Sequence, residues 1–261
     1  MPDLLSDTIM QFTWAISLTR NSSTKIPCNK ISPQTTWTQE IPTGHFSGNN
    51  WYPRFCAVPQ LEYAKCFQNK QVLILGDSNG RSHYYNIVKH SKCTEVVKAV
   101  TKRWHKPLLC AHKTNNFTLS WSPHTNPFMN GVTLDEIPSH GHYLIILNHF
   151  YHLTVSHISV SDFLFRNIKD ALVRLFQRNP NVQVVLQGPH IAWFGWPEHY
   201  AAGDMLGTHI MDLQQEIFQD VKDKMLFISH WDMTMAKENY DYHPGTNGKV
   251  FDLIVGLTCG R

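Results

Sequence analysis

The sequence predicts an α/β fold in which a mostly parallel sheet carries helices on both faces. Four short apolar runs alternate with longer amphipathic stretches, and they lie at residues 71–75, 143–147, 182–186 and 225–229. Short, predominantly apolar runs of this kind are typical of strands covered on both faces. Strands that alternate with helices in this way predict parallel pairing through helical crossovers.

The ends of these strands carry polar residues. The first run stops at Gly76, and Asp77 and Ser78 then open a predicted helix. Asn148 and Gly188 follow two later runs in the same manner. Since ligands of parallel sheets bind beyond the carboxyl ends of the strands, we expect a site at this edge.

Three further helices are predicted from periodicity. Residues 161–178 place apolar side chains at near-helical spacing, with N-cap chemistry from a Ser-Asp pair at the start and Pro180 just past the end. Residues 204–221 repeat the pattern. Residues 249–259 predict a short last helix.

The composition allows one large core or at most two domains. Of the 261 residues, 42% are hydrophobic and 16% are charged, which argues against disorder. Residues 19–50 are rich in Ser, Thr, Asn and Pro and show little periodicity. We therefore expect residues 1–50 to form a loop-rich lead-in and residues 51–261 to form the α/β domain.

Charge and hydropathy bear on possible partners. The formal net charge is +3 and the basic residues are dispersed, so the sequence does not predict binding to nucleic acid. No stretch reaches the ~18 apolar residues of a membrane span. Residues 1–18 lack an early basic region and their apolar run is interrupted, so no signal peptide is seen in this chain. The oligomeric state stays unknown.

The chain has 6 cysteines, and none of them form a Cys-x-x-Cys pair, which argues against a zinc ribbon or a thioredoxin-type site. They are either free buried thiols or disulfides made in an oxidising compartment, and their spacing leaves the pairing open. Glycosylation sequons at Asn21 and Asn116 give slight support to the second interpretation. We expect at least two disulfides in protein made under oxidising conditions.

Ser78 has the context of a nucleophile, although Gly-Asp-Ser is also ordinary turn composition. At the start of a helix, backbone N–H groups and the helix dipole can stabilise an oxyanion. A serine needs a base, and the best candidate is His243 in the segment ENYDYHPG. Asp241 lies on the same side of an extended segment as His243, and Pro244 favours that conformation. Asp241 can therefore orient the imidazole through Nδ1.

Several motifs occur in a specific order: WYPRFC at 51–56, GDSNGR at 76–81, NHF at 148–150, ALVRLFQRNPNVQVVLQGPHI at 171–191, HWDMTMA at 230–236 and YHP at 242–244. Together they resemble the PC-esterase branch of the SGNH/GDSL hydrolase superfamily. More specifically, the chain resembles the C-terminal domain of the NXPE family (neurexophilin and PC-esterase domain proteins). The likeness spans about 50 to 259.

The resemblance implies a three-layer α/β/α sandwich and acyl-ester chemistry on carbohydrates. It carries Ser78 over as the nucleophile and His243 as the base. It implies that Arg81 is the arginine of the motif and that Asn148 donates to the oxyanion, although the NXPE pattern tends to have Gln-His-Phe at that point. Asn79 is expected with them in oxyanion or substrate binding.

The sequence departs from the superfamily at the acid. SGNH enzymes typically carry Asp-x-x-His, which puts Tyr240 where the aspartate belongs and leaves Asp241 one residue late. Either the local backbone adjusts, or another group orients the base, or the site is inactive. Asp232 and Asn239 are the other candidates, and for Asp232 we expect a structural role.

Two functions fit these observations. One is a carbohydrate O-acetyl esterase or O-acetyltransferase in the secretory pathway or outside the cell, acting on a glycan or glycoconjugate. The other is a non-catalytic secreted glycoprotein that binds glycan or a protein partner. No metal and no cofactor are expected, apart from an acyl donor such as acetyl-CoA in a transferase. Trp193, Phe194 and Trp196 can form a sugar-stacking wall or a lid over the core.

Overall fold

The structure is a computed structural model that describes residues 25–98, 106–123, 129–192 and 204–260. Within these residues the strands are β1 (Gly44–Ser47), β2 (Asn50–Pro53), β3 (Lys70–Gly76), β4 (Thr94–Val97), β5 (Leu108–His112), β6 (Phe117–Pro123), β7 (His142–Asn148), β8 (Val182–Gln187) and β9 (Met225–Ile228). The helices are α1 (Tyr63–Cys66), α2 (Ser78–Ser91), α3 (Met129–Asp135), α4 (Ile158–Arg178), α5 (Asp204–Ile217), α6 (Trp231–Ala236) and α7 (Asn247–Thr258).

The central sheet of the described residues has 7 strands in the order β4-β5-β6-β3-β7-β8-β9. The five strands from β6 to β9 run parallel, and β5 runs antiparallel to both β4 and β6. Strands β1 and β2 form a separate antiparallel hairpin. The predicted parallel sheet is confirmed, and all four predicted runs are strands in it.

Each face of the sheet has its own core, because successive side chains along a strand point to opposite faces. In β7, Leu144 and Ile146 belong to the core that α1, α2 and α7 cover. Ile145 and Leu147 belong to the core on the other face, which α3, α4 and α5 cover. The molecule is therefore a three-layer α/β/α sandwich, as the resemblance implied.

The helix boundaries differ from the sequence-based ones. Helix α4 begins at Ile158, three residues before the predicted Ser-Asp cap, and the ring of His157 caps it by accepting from the N–H of Ser159. Ser161 is fully buried within the helix. Helix α5 ends at Ile217, and the chain then forms a short 3-10 turn over Gln219–Val221.

The described part of the lead-in covers the edge of β9. The indole N–H of Trp37 donates to the carbonyl of Met225 at 2.7 Å, and the N–H of Phe227 donates to Oγ1 of Thr36 at 2.8 Å. The rings of Trp37 and Phe227 stack with centroids 4.9 Å apart. These contacts satisfy backbone groups that an edge strand would otherwise leave open. The division of the chain at residue 50 stays a prediction.

All 6 cysteines lie within the described residues and are paired, as Cys28–Cys56, Cys66–Cys259 and Cys93–Cys110. The expectation of at least two disulfides is confirmed. No helix in the described part of the chain is both long enough and apolar enough to cross a membrane.

Candidate active site

Strand β3 and helix α2 bring Ser78 to the carboxyl edge of the sheet. Gly76 ends the strand in register with Asn148 of β7. A Cβ at Gly76 would lie 2.0 Å from the carbonyl oxygen of Asn148, so only glycine allows this close approach. The N–H of Asp77 donates to the same carbonyl at 3.1 Å, and Ser78 is the first residue of α2.

Asp77 is the N-cap of α2 and its carboxylate is buried, with 3% exposed. Oδ1 accepts from the N–H of Asn79 at 2.8 Å, and Oδ2 accepts from the N–H of Tyr151 at 3.1 Å. Burial raises the pKa of Asp77, while these two hydrogen bonds and the charges of His152 and His243 oppose the rise. A buried acidic group therefore stands directly before Ser78.

The structure brings Ser78 and His243 together. Nε2 of His243 and Oγ of Ser78 are 2.5 Å apart, although 165 residues separate them in the chain. His243 lies in the segment between α6 and α7 and is half-buried, as is Ser78. This is the contact that a base needs in order to remove the proton of a serine hydroxyl.

Local charges and burial keep His243 neutral. Burial lowers the pKa of His243, the charge of Arg81 lowers it further, and the negative charge of Asp77 opposes both. A neutral imidazole has a free lone pair at neutral pH, so Nε2 can accept the proton of Ser78.

The candidates for orienting the imidazole of His243 are Asp241, Asn239 and Asp232, and they lie in different surroundings. Asp241 is exposed, and among the described residues no hydrogen bond joins it to His243, although its charge raises the pKa of His243. Oδ1 of Asn239 accepts from the N–H of Gly245 at 2.5 Å. Oδ2 of Asp232 accepts from the N–H of Thr43 at 2.6 Å, which ties the lead-in to α6 and agrees with the structural role expected for Asp232.

The remaining predicted site residues are Arg81, Asn148 and Asn79, and they differ in what their side chains contact. The guanidinium of Arg81 lies 5.7 Å from the ring centroid of Trp121. Asn148 is buried at the end of β7, and its Oδ1 has no hydrogen-bond partner among the described residues. The side-chain amide of Asn79, by contrast, is hydrogen-bonded on both sides, to the Tyr242 carbonyl and to Asn247.

Sequence reasoning gave no role to Asp77, Tyr151, His152 or His190. Asp77 stands in the Gly-Asp-Ser motif, which was the available signal. The charge of His152 lowers the pKa of both Asp77 and His243. Burial, together with His243, lowers the pKa of His190 to about 3, against the opposing effect of a hydrogen bond to the Tyr242 carbonyl. No sequence pattern signals these contacts, because they depend on how loops from three strands meet.

Some predicted features lie outside the described residues, namely the aromatic residues Trp193, Phe194 and Trp196 and the sequon at Asn21. In the part of the chain that is described, no group of three or more His, Cys, Asp or Glu side chains is arranged to hold a metal ion.

Two comparisons with known proteins bear on the chain. The family model described as NXPE family member 4-like, C-terminal domain, matches residues 51–250. A solved structure described as a GDSL-like lipase from Parabacteroides merdae is similar over 73% of this chain and 94% of that one, with 10% identity and a TM-score of 0.45. At that identity and score, the second likeness carries no argument about chemistry.

Proposed function

This chain belongs to the family of NXPE family member 4-like C-terminal domains, and we propose that it is a carbohydrate O-acyl esterase or O-acetyltransferase that works through an acyl-Ser78 intermediate. The observation that carries the proposal is the 2.5 Å contact between Ser78 Oγ and His243 Nε2 at the carboxyl edge of the sheet. The catalytic unit in this proposal is the domain at residues 51–261, and residues 1–50 are its lead-in.

In the first half of the reaction, Ser78 Oγ attacks the carbonyl carbon of the acyl group while Nε2 of His243 takes the serine proton. The carbonyl oxygen becomes an oxyanion, which the N–H groups at the start of α2 and the amide of Asn148 stabilise. The intermediate then collapses with cleavage of the bond to the leaving group. The protonated His243 gives its proton to the departing oxygen, or to the sulfur when the donor is a thioester such as acetyl-CoA.

In the second half, the acyl group leaves Ser78. Water attacks the acyl-serine in an esterase, and a sugar hydroxyl attacks it in a transferase. His243 removes the proton of the attacking oxygen and returns it to Ser78 as the acyl bond breaks. The buried carboxylate of Asp77 stabilises the transient imidazolium, because its charge favours the protonated form of His243.

The second candidate function is a non-catalytic secreted glycoprotein that binds glycan or a protein partner. It is favoured by one observation, which is that among the described residues Asp241 makes no hydrogen bond to His243. A triad that lacks its orienting acid loses most of its rate, although the oxyanion site and substrate binding still leave residual catalysis.

A fluorophosphonate probe tests the proposal, because it labels only an activated serine. We expect labelling of the peptide that contains Ser78, loss of labelling in Ser78→Ala and strong reduction in His243→Ala. Ser82→Ala, one turn further along α2, is the matched control and should label like the parent. A folded parent that the probe does not label would contradict the enzyme and support the binding protein.

We also place the protein in the secretory pathway or outside the cell, because three disulfides need an oxidising compartment. Asn116 is exposed in the turn between β5 and β6, at the edge of the sheet opposite Ser78. Protein prepared for the probe experiment from a eukaryotic secretory system should therefore carry an N-glycan at Asn116 and no free thiol. Six titratable thiols in that preparation would contradict this location.

A further inference from the structure

The segment that carries His243 is held at the residue before it. Nδ2 of Asn79 donates to the main-chain carbonyl of Tyr242 at 3.1 Å. Oδ1 of Asn79 accepts from Nδ2 of Asn247 at 2.9 Å. Asn79 itself directly follows Ser78 in the first turn of α2. One side chain therefore connects the start of the helix that carries the serine to the segment that carries the histidine.

Asn247, which donates to the side-chain oxygen of Asn79, also binds the main chain just after His243. It is the first residue of α7, and its N–H donates to the carbonyl of Pro244 at 3.0 Å. The main chain is thus held at the Tyr242 carbonyl by Asn79, with His190 bound to the same carbonyl, and at Pro244 by Asn247. His243 lies between these two fixed points, and its ring packs against that of Tyr242 with centroids 4.3 Å apart.

The chemistry of the position requires an amide. Asn79 is buried, with 1% exposed, and it must donate to a carbonyl while it accepts from an amide. Aspartate at this position has no donor at neutral pH, and alanine has neither group. A buried polar group that loses its partner destabilises the folded state.

We propose that Asn79 is the positioning residue for His243: it fixes the main chain at Tyr242 and so holds Nε2 of His243 against Oγ of Ser78. Triad enzymes hold the imidazole through an acid that binds its other nitrogen. In the described part of this chain, Asp241 makes no such bond, and the hold acts on the backbone instead. This inference rests on the proposed function, in which Ser78 and His243 react together.

The first test is kinetic. Asn79→Ala should lower the rate constant for acylation of Ser78 by about 10²-fold with little change in KM, since a misplacement of about 1 Å costs that much. Asn79→Asp keeps the acceptor for Asn247 and removes the donor to Tyr242, so it should lose a similar factor. Asn247→Ala should lose less, and the double variant Asn79→Ala/Asn247→Ala should be no slower than Asn79→Ala, because both residues act through one connection.

The second test does not need activity. In the parent, burial keeps the pKa of His243 below its ordinary value. A His243 released by Asn79→Ala becomes solvated, so its pKa should rise towards about 6.5 in an NMR titration. Asn86→Ala on the same helix is the control, because Asn86 is half-buried and hydrogen-bonds to no described residue. It should change neither the rate nor the titration.

The outcomes separate this inference from the proposed function. An unlabelled parent defeats the proposed function, and the titration alone then decides the role of Asn79. An unchanged titration in both Asn79 variants overturns the inference, whether or not the rate falls. A loss in Asp241→Asn as large as that in Asn79→Ala also overturns it, because the orienting role would then belong to Asp241.

Discussion

At the scale of single residues, Asn148 is unusual because its side-chain oxygen is buried without a hydrogen bond to any described residue. It has 2% of its surface exposed, and its Oδ1 has no partner. An amide in that state lowers stability unless another group completes it. The unpartnered atom is an acceptor and cannot itself bind an oxyanion, but the position beside Gly76, at the edge where Ser78 lies, would let the donor Nδ2 of Asn148 take that role.

We expect Asn148→Ala to lower kcat by about 10²-fold or more while KM changes little, because the lost bond is made in the transition state. Steady-state kinetics on an acetyl ester measures the effect. Asn167→Ala, half-buried on α4, serves as the control and should leave both constants unchanged. Unchanged kcat in Asn148→Ala would remove Asn148 from the mechanism.

At the scale of elements, a buried polar chain links the helices and strands beneath the site. Nε2 of His83 on α2 contacts Oε1 of Gln187 on β8 at 2.5 Å. Nε2 of Gln187 donates to Nδ1 of His230 at 3.3 Å, and Nε2 of His230 donates to Oγ1 of Thr246 at 2.8 Å. Burial lowers the pKa of His83 to about 4 and that of His230 well below its ordinary value. Both rings are therefore neutral in the folded protein.

The buried network of His83, Gln187, His230 and Thr246 predicts that the protein loses stability in mild acid. The unfolded protein protonates both histidines near pH 6.5, while the folded protein protonates His83 only near pH 4 and lowers the pKa of His230 as well, so the stabilisation is full above about pH 6.5 and is lost as the pH falls through the folded pKa of His83. The raised pKa of Asp77 acts in the opposite direction. We expect the free energy of unfolding in urea to fall by a few kcal/mol between about pH 7 and pH 4.

His83→Gln isolates the histidine contribution to this pH dependence. It removes one of the buried titrating groups, so its unfolding free energy should depend less on pH than that of the parent. His140→Gln replaces an exposed histidine and should follow the parent. Equal pH dependence in all three proteins would refute the assignment to the buried chain.

The strands that the sequence predicted are those that are apolar throughout, whereas the helices were predicted from their amphipathic periodicity. Strands β3, β7, β8 and β9 are buried on both faces, which makes their runs easy to recognise. Strand β6 alternates buried and less buried side chains, which is the pattern of a half-buried strand, but the prediction rested on runs that are apolar throughout and therefore omitted it. Strands β1 and β2 have four residues each, which is too short for a clear period. Ser78 and His243 were predictable from local motifs. The contacts of Asn79 were not, because Tyr242 and Asn247 reach it only through the packing of α7 on α2.

At the scale of the whole molecule, Cys66–Cys259 joins α1 to the end of α7 across a sequence separation of 193 residues. Cys93–Cys110 spans only 17 residues. A crosslink that closes a longer loop removes more conformational entropy from the unfolded chain. The two disulfides should therefore contribute unequally to stability.

Replacing Cys66 and Cys259 together by alanine should lower the free energy of unfolding by about 5 kcal/mol, against about 3 kcal/mol for the pair Cys93 and Cys110. Denaturant titration of both double variants and the parent measures the three free energies of unfolding that are compared. Equal losses from the two pairs would show that native contacts, rather than loop entropy, set the contribution of each disulfide.

The distance along the chain between Ser78 and His243 also has a consequence for biosynthesis. The two residues are 165 positions apart, and the chain from one to the other takes roughly 10–30 s to translate. During that time the growing polypeptide presents a serine without its base. His243 emerges just before helix α7, and Cys259, which follows that helix, can be oxidised only after His243 has emerged. Under the proposed function, the growing polypeptide therefore cannot acylate Ser78 until the segment that carries His243 has docked beside α2.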